Sequence, residues 1–136
     1  MNKKSVKLVL VMAALALFLA ACGRYVSSYR AVGLVRTNSA GAASMSFMTF
    51  EGRMVFRLKC AQDQRLNYEA KLTSGRAAVY CDADGTKTEL FSLGAGEELA
   101  SSFGPLQKGT VYIIVETDGR CEEGGFRFGT AQAEGN

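Results

Sequence analysis

The chain has 136 residues, a formal net charge of +3, four cysteines, one proline and no histidine or tryptophan. The missing histidine excludes Ser–His and Cys–His nucleophilic pairs, imidazole general bases and histidine metal ligands. No basic stripe interleaved with aromatic residues occurs, so the composition also argues against a nucleic-acid-binding protein.

The first 21 residues have the layout of a secretory signal peptide. A basic start containing Lys3, Lys4 and Lys7 is followed by an apolar stretch from Leu8 to Ala20. As a helix this stretch is roughly 20 Å long, whereas the hydrocarbon core of a bilayer is about 30 Å thick. We therefore interpret residues 1–21 as a signal peptide rather than as a permanent transmembrane helix.

The apolar stretch ends in Leu19-Ala20-Ala21-Cys22. This motif resembles the lipobox of bacterial lipoproteins. The resemblance implies cleavage after Ala21 and acylation of Cys22, which becomes the first residue of the mature protein. Two or three acyl chains hold a protein stably on a bilayer, here on the outer face of the bacterial cell membrane, or the outer membrane if the host has one. The alternative is an ordinary cysteine that follows a signal peptide.

Removal of the signal peptide leaves a mature chain with thirteen basic and thirteen acidic residues. Residues 22–50 nevertheless carry Arg24, Arg30 and Arg36 and no acidic residue. Two interpretations stay open: attraction of this basic segment to anionic lipid head groups, or a solvated linker with scattered arginines.

The segment between Cys22 and the first predicted strand reads as a flexible tether over residues 22–44. Its second part, RTNSAGAASMS (36–46), is small and polar and has neither helical nor strand periodicity. The preceding stretch YVSSYRAVGLV (25–35) has some apolar content. It either packs on the domain or lies at the membrane, and the sequence does not decide between the two.

From residue 45 the pattern changes to alternation of apolar and polar residues, which is typical of half-buried strands. The stretch GTVYIIVET (109–117) is apolar on both faces and indicates a central strand. Glycine and aspartate mark turns between the alternating stretches. The residues predicted to face the core are Met54, Phe56, Leu58, Cys60, Leu66, Tyr68, Ala70, Leu72, Ala77, Val79, Cys81, Phe126 and Phe128.

These patterns predict an all-β domain over residues 45–131, followed by a short tail over residues 132–136. Seven or eight short strands in one domain of this size suggest a single antiparallel β-sandwich of jelly-roll type. Part of the domain, with Asp84-Gly85, Gly109–Tyr112 and Gly125-Phe126, resembles the small bacterial β-sandwich modules grouped with pre-peptidase C-terminal domains. That resemblance implies a sandwich fold rather than an activity.

Motifs of catalysis and cofactor binding are missing from the sequence. Glu97 is adjacent to Glu98, and Glu122 is adjacent to Glu123. Because neighbours in a strand point to opposite faces, the two carboxylates of each pair do not face each other. The segment DADGT (82–86) begins like a calcium loop, but Leu93 stands where the twelfth-position acid belongs. We therefore predict no catalytic residue, no metal site and no cofactor, and we interpret the segment as a hairpin tip.

The remaining cysteines are Cys60, Cys81 and Cys121. An exported protein meets an environment in which disulfides form. Cys81 follows the inward phase of its strand and is expected to be a small buried hydrophobic residue. Cys60 and Cys121 lie at element ends, so we predict a disulfide between them.

Three tyrosines, Tyr68, Tyr80 and Tyr112, form a candidate ligand face if they lie on one side of the sheet. The alternative role for each is packing within the core or on the sheet surface. The sequence thus predicts a surface lipoprotein with a non-catalytic binding or accessory module. Its partners are the lipid bilayer, through acyl chains, and a cell-wall polymer, a glycan or a membrane protein. The alternatives are a hydrolase that uses carboxylates alone and a purely structural envelope protein.

Overall fold

The computed structural model describes residues 25–132, which form nine β-strands. No apolar helix of membrane-spanning length occurs in this part of the chain. The predicted signal peptide, Cys22 and most of the predicted tail lie outside the described residues. The strands are β1 (Ser28–Val32), β2 (Val35–Asn38), β3 (Ala42–Cys60), β4 (Gln64–Ser74), β5 (Ala77–Asp82), β6 (Lys87–Leu93), β7 (Glu97–Phe103), β8 (Gly109–Thr117) and β9 (Cys121–Gln132).

The strands form one antiparallel sheet in the order β6-β5-β8-β3-β9-β4-β7, and β1 and β2 also pair with β3. The 19-residue strand β3 joins two halves of this sheet. Residues 42–50 of β3 pair with β9, and residues 53–60 pair with β8. We call β2, β9, β4, β7 and residues 42–50 of β3 the β9 half, and β8, β5, β6 and residues 53–60 of β3 the β8 half.

The two halves face each other across one apolar core. The Phe56 ring lies 6.0 Å from that of Phe128, and the Phe91 ring lies 5.0 Å from that of Tyr68, with centroids as reference points. Each pair joins a residue of the β8 half to one of the β9 half. The predicted all-β antiparallel fold is thereby confirmed, with the two layers provided by one sheet that bends back on itself.

Inward-facing residues agree with the alternation in the sequence. The predicted core residues are buried, except that Tyr68 is half-buried. The central position predicted for residues 109–117 is also confirmed, because β8 lies between β5 and β3. Such a strand buries side chains on both of its faces, as Ile113 and Ile114 do.

The segment predicted to be a flexible tether is not a tether from Tyr25 onward. It forms β1, β2 and the start of β3, and both short strands pair with β3. Polar and small residues form strands here because their backbone groups pair with a neighbouring strand. Gly52 of β3 permits this arrangement, since its φ is +129° and a Cβ there would lie 2.3 Å from the Ser28 carbonyl oxygen.

Hydrogen bonds from the β2 region also reach the second part of β3. The Asn38 side chain accepts from the Arg57 N–H (3.1 Å) and donates to the Arg57 carbonyl (2.8 Å). The Lys59 N–H donates to the Ala40 carbonyl at 2.6 Å. These bonds satisfy backbone groups along an edge of β3 and nearly close the sheet into a barrel.

Candidate binding groove

A groove crosses the outer face of the β9 half. In an antiparallel sheet directly paired residues project to the same side. One row of paired residues crosses the strands as Val35, Ser46, Gly125, Lys71 and Glu98. The next row consists of Thr37, Ser44, Arg127, Glu69 and Ala100.

The groove between these rows has a volume of about 880 Å³. A second depression of about 660 Å³ adjoins it and shares Glu69, Ala100 and Arg127 as lining residues. The second depression is lined further along β9 by Gly129. Together they form a surface channel across several strands rather than an enclosed pocket.

Two glycines of β9 keep the floor of this channel low. A Cβ built on Gly125 would come no closer than 3.6 Å to its surroundings, and one built on Gly129 no closer than 3.7 Å. These are ordinary contacts, so the fold tolerates a side chain at both positions. A glycine inside a strand costs stability because it has no side chain to pack. Any larger residue at Gly125 would project into the groove.

Gly124, the preceding residue, is a glycine for a different reason. A Cβ at this position would lie 2.7 Å from the Phe47 ring and 2.9 Å from a methyl group of Leu72. The core requires this glycine, whereas no close contact of the fold requires the one at Gly125.

Charges in the groove are balanced. Arg127 and Glu69 form an exposed ion pair at 3.4 Å, which lies where the two depressions meet. Lys71 and Glu98 are cross-strand partners on the same face. Because two cations and two anions line the channel, it offers hydrogen-bond donors and acceptors without a net field of either sign.

The groove carboxylates lack the surroundings of a catalytic pair. A glycosidase acid lies in an apolar pocket that keeps it protonated. Glu98 is exposed, and Glu69 is both exposed and paired with Arg127. Within residues 25–132 no group of three His, Cys, Asp or Glu side chains is placed to hold a metal ion.

The three predicted tyrosines do not share one face. Tyr68 belongs to β4, where it stacks on Phe91 at the core and borders the second depression. Tyr80 and Tyr112 lie on the outer face of the β8 half. The Tyr112 ring contacts Tyr25 at 5.2 Å, and the Lys87 ammonium lies 4.4 Å from the centre of the Tyr80 ring. These rings are packed by neighbouring side chains instead of forming one open platform.

The two cysteines predicted to form a disulfide lie far apart. Cys121 is opposite Phe50 on β3, and Cys60 is ten positions further along the same strand. A disulfide requires Cα atoms within about 7 Å, whereas ten strand residues extend roughly 30 Å. Cys60, Cys81 and Cys121 are buried free thiols, so the predicted bridge does not form in this structure.

Burial raises the pKa of all three thiols, and for Cys81 the value reaches about 11. Loss of solvent around the thiolate is the main cause at Cys81, and the negative charges of Asp82 and Asp84 add to it. Such thiols are poor nucleophiles at neutral pH.

The groove residues were missed by the sequence reasoning, although a signal for them exists. In the stretch GGFRFGT, Phe126 and Phe128 face the core, which places Gly125, Arg127 and Gly129 on the outer face. Two glycines flanking an arginine on an outward phase indicate an open surface. Its partner residues on β4 and β7 are not recognisable without the pairing register.

No family model matches the chain, and no curated protein matches it either. Among solved structures, it is similar to TmCBM61 in complex with beta-1,4-galactotriose, with 14% identity over 77% of this chain and 88% of that chain and a TM-score of 0.47. It is also similar to a CBM4 structure, with 12% identity, 83% coverage of both chains and a TM-score of 0.37. A third similarity is to the glycoside hydrolase domain of Endo-D from Streptococcus pneumoniae, at 13% identity over 76% of this chain and 20% of that one, with a TM-score of 0.34. All three TM-scores lie below 0.5, so these likenesses carry no weight for ligand or activity.

Proposed function

We propose that the protein is a non-catalytic binding module, displayed on the outer face of a bacterial membrane through an acylated Cys22, whose groove binds an extended glycan chain of the envelope. The open, glycine-floored groove on the β9 half is the observation that carries this proposal. Gly125 supports it most directly, because neither core packing nor a close backbone contact requires a glycine there.

A glycan fits the chemistry of the groove better than a charged polymer does. Arg127 and Lys71 supply N–H donors, and Glu69 and Glu98 supply acceptors, which suits hydroxyl groups. The balanced charge gives no electrostatic attraction for a polyanion or a polycation. No tryptophan, tyrosine or phenylalanine side chain is among the residues that line the larger depression except the buried Phe126. Affinity for a single short oligosaccharide is therefore expected to be low.

The test is a titration of the full chain with a panel of neutral and acidic envelope oligosaccharides, in which binding is measured from changes in backbone NMR chemical shifts. Neutral oligosaccharides should shift the backbone amides of Gly125, Arg127 and Lys71. The variant Gly125→Val should lose this response, because its side chain fills the groove. A matched control is Ser92→Val, at an exposed position of an edge strand in the β8 half.

Binding that persists unchanged in Gly125→Val would contradict the groove as the site. Turnover of any oligosaccharide that disappears in Glu98→Gln would favour the hydrolase alternative instead. Binding of acidic oligosaccharides alone would contradict the preference for uncharged chains.

The anchor is tested separately. Cys22→Ala should produce a precursor that is neither labelled by radioactive fatty acid nor retained in the membrane fraction. Normal labelling of this variant would rule out acylation at Cys22, and it would leave the groove unaffected.

A further inference from the structure

The groove is apolar where it reaches β2, unlike its course over β9, β4 and β7. Val35 lines the groove there and is 62% exposed. Met48, also 62% exposed, is the next outward residue of β3 after Ser46. Because Val35 pairs directly with Ser46, Val35 and Met48 are diagonal neighbours on one face, a distance that long side chains bridge. We call Val35 and Met48 the apolar end of the groove.

The turn between β1 and β2 makes room for Met48 on this face. The Met48 side chain lies against Gly33, where a Cβ would come within 2.7 Å of its Cγ and 2.9 Å of its sulfur. The φ of Gly33 is +64°, which glycine adopts without strain. A larger residue at this turn would displace Met48, so the fold keeps Met48 beside the groove.

A partner that adds a strand does not account for the apolar end. The edge of β2 that faces away from its pairing with residues 43–46 is already used within the chain. There the Arg36 guanidinium donates to the Val55 carbonyl at 3.0 Å, and the Asn38 side chain bonds both backbone groups of Arg57. A ligand that contacts the apolar end must therefore lie on the face of the sheet, as a ligand in the groove does.

Hydroxyl groups lie next to the apolar end. Ser46 is exposed and is the direct partner of Val35. In the next row the hydroxyls of Thr37 and Ser44 are hydrogen-bonded at 2.6 Å. A hydroxyl both donates and accepts, so Ser46 offers both functions and the Thr37–Ser44 pair keeps one hydrogen for a ligand. This end of the groove thus combines a small apolar contact with nearby donors and acceptors.

We infer that the apolar end binds the methyl group of an acetamido substituent, so that the ligand of the groove is a chain of N-acetylated amino sugars. This inference rests on the proposed function, because it assigns a substituent to the glycan that the groove binds. An acetamido group has one methyl, one N–H donor and one carbonyl acceptor, which match the apolar end and the hydroxyls beside it.

A chain of unsubstituted hexoses fits the same groove less well. Its apolar surface is confined to the faces of the sugar rings, and Phe126, the aromatic residue that lines the larger depression, is buried. Such a chain would leave the apolar end without a contact. An N-acetylated chain fills it and carries no charge, in agreement with the balanced charges of the groove.

The test compares chitotetraose with cellotetraose, which share one linkage and differ in an acetamido group in place of a hydroxyl on each sugar. The full chain is titrated with each tetrasaccharide, and the dissociation constants are measured from backbone NMR chemical shifts. Chitotetraose should bind about tenfold more tightly, the effect of one buried methyl group and one additional hydrogen bond. Nuclear Overhauser effects should connect the acetyl methyl protons to the methyl groups of Val35 and Met48.

Two substitutions remove the apolar contact and keep the size of the side chain. Val35→Thr and Met48→Gln should each weaken chitotetraose binding about fourfold, because a methyl group loses its apolar partner, and should leave cellotetraose binding unchanged. Met48→Leu should keep the preference. The matched control is Val32→Thr: Val32 is 59% exposed but pairs with Thr49, which places it on the opposite face from Met48.

Equal affinity for the two tetrasaccharides, or a preference that survives in both Val35→Thr and Met48→Gln, would overturn the inference. Tighter binding of a rhamnose oligomer than of chitotetraose would also overturn it, because the methyl group would then belong to a deoxy sugar. The proposed function would stand in each case if the binding that remains is lost in Gly125→Val. It would fail, and the inference with it, if no neutral oligosaccharide binds.

Discussion

The two halves of the sheet present opposite kinds of outer face. On the β9 half, the outward positions of β9, β4 and β7 are small or polar, and Gly125 leaves a groove open. On the β8 half, the outward residues Val55 and Ile114 are buried, and the chain that begins at Tyr25 crosses this face. One face is thus covered by the protein itself, and the other is left open to solvent.

The difference teaches where to look for function in a small all-β module. Aromatic residues drew attention in the sequence, yet Tyr80 and Tyr112 belong to the covered face. The functional candidate is the outer face of the β9 half, where the larger depression is lined by no aromatic side chain except the buried Phe126. Large rings gain most from burial, so Tyr80 and Tyr112 pack against the protein's own chain instead of facing an open surface.

The largest change in the free energy of unfolding is expected at Gly124, and Gly125 provides the contrast. Gly124→Ala should destabilise the protein by about 2 kcal/mol, because its methyl group overlaps Phe47 and Leu72. Gly125→Ala should change the free energy of unfolding by less than about 0.5 kcal/mol. Urea unfolding of both variants measures this, and equal losses would show that Gly125 is also a structural residue.

The covering of the β8 half is tested by Tyr25→Phe. Removal of the hydroxyl deprives the buried Asp82 of a donor, which should lower the free energy of unfolding by about 1.5 kcal/mol. Tyr29→Phe is the control, since among the described residues its hydroxyl has no hydrogen-bond partner. Limited proteolysis should release the N-terminal segment faster from Tyr25→Phe. Identical digestion of both variants would mean that the hydroxyl does not hold the segment.

Alkaline pH should lower the free energy of unfolding, because Cys81 lies in the core that the two halves share. In the unfolded chain the Cys81 thiol ionises near pH 9, but in the folded protein its pKa is about 11. The unfolded state therefore releases its proton first, and the free energy of unfolding should fall as pH rises from about 9 to about 11. Cys81→Ala should flatten this decline in thermal unfolding curves. A decline of the same steepness in the variant would assign it to other groups.

The smallest effect on stability is expected at the exposed ion pair of the groove. Arg127→Gln should change the free energy of unfolding by less than about 0.5 kcal/mol, because both partners are solvated. The same change should weaken oligosaccharide binding in the NMR titration. If Arg127→Gln loses stability but keeps oligosaccharide binding, the ion pair stabilises the fold and does not contribute to binding.

Much of the β8 half and of the core was predictable from sequence. Phe56 and Val79 follow local alternation, and alternation reports burial directly. The strands β1 and β2 were not predictable, because Val35 to Asn38 are all exposed and their strand form comes from pairing with a distant part of the chain. A periodic signal requires a buried face, which β2 lacks.

The groove was predictable only in part. The outward phase of Gly125 and Arg127 follows from the phenylalanines beside them. Glu98 joins this site through the register of β4 with β7, and one residue of slippage would move it to the opposite face. The failed pairing of Cys60 with Cys121 has a similar origin. The two positions resemble neighbouring strand ends in the sequence, but β3 is long enough to hold them at opposite ends of the molecule.

The length of β3 also determines how the protein responds to proteolytic cleavage of its backbone. Residues 42–50 complete one half and residues 53–60 complete the other, so a protease nick near Gly52 would deprive both halves of a strand at once. A nick at the exposed hairpin tip around Gly85 would leave every strand intact and both faces in place. Resistance to proteases therefore depends on the middle of a single strand, which β1 covers on one side at Ser28 and Tyr29.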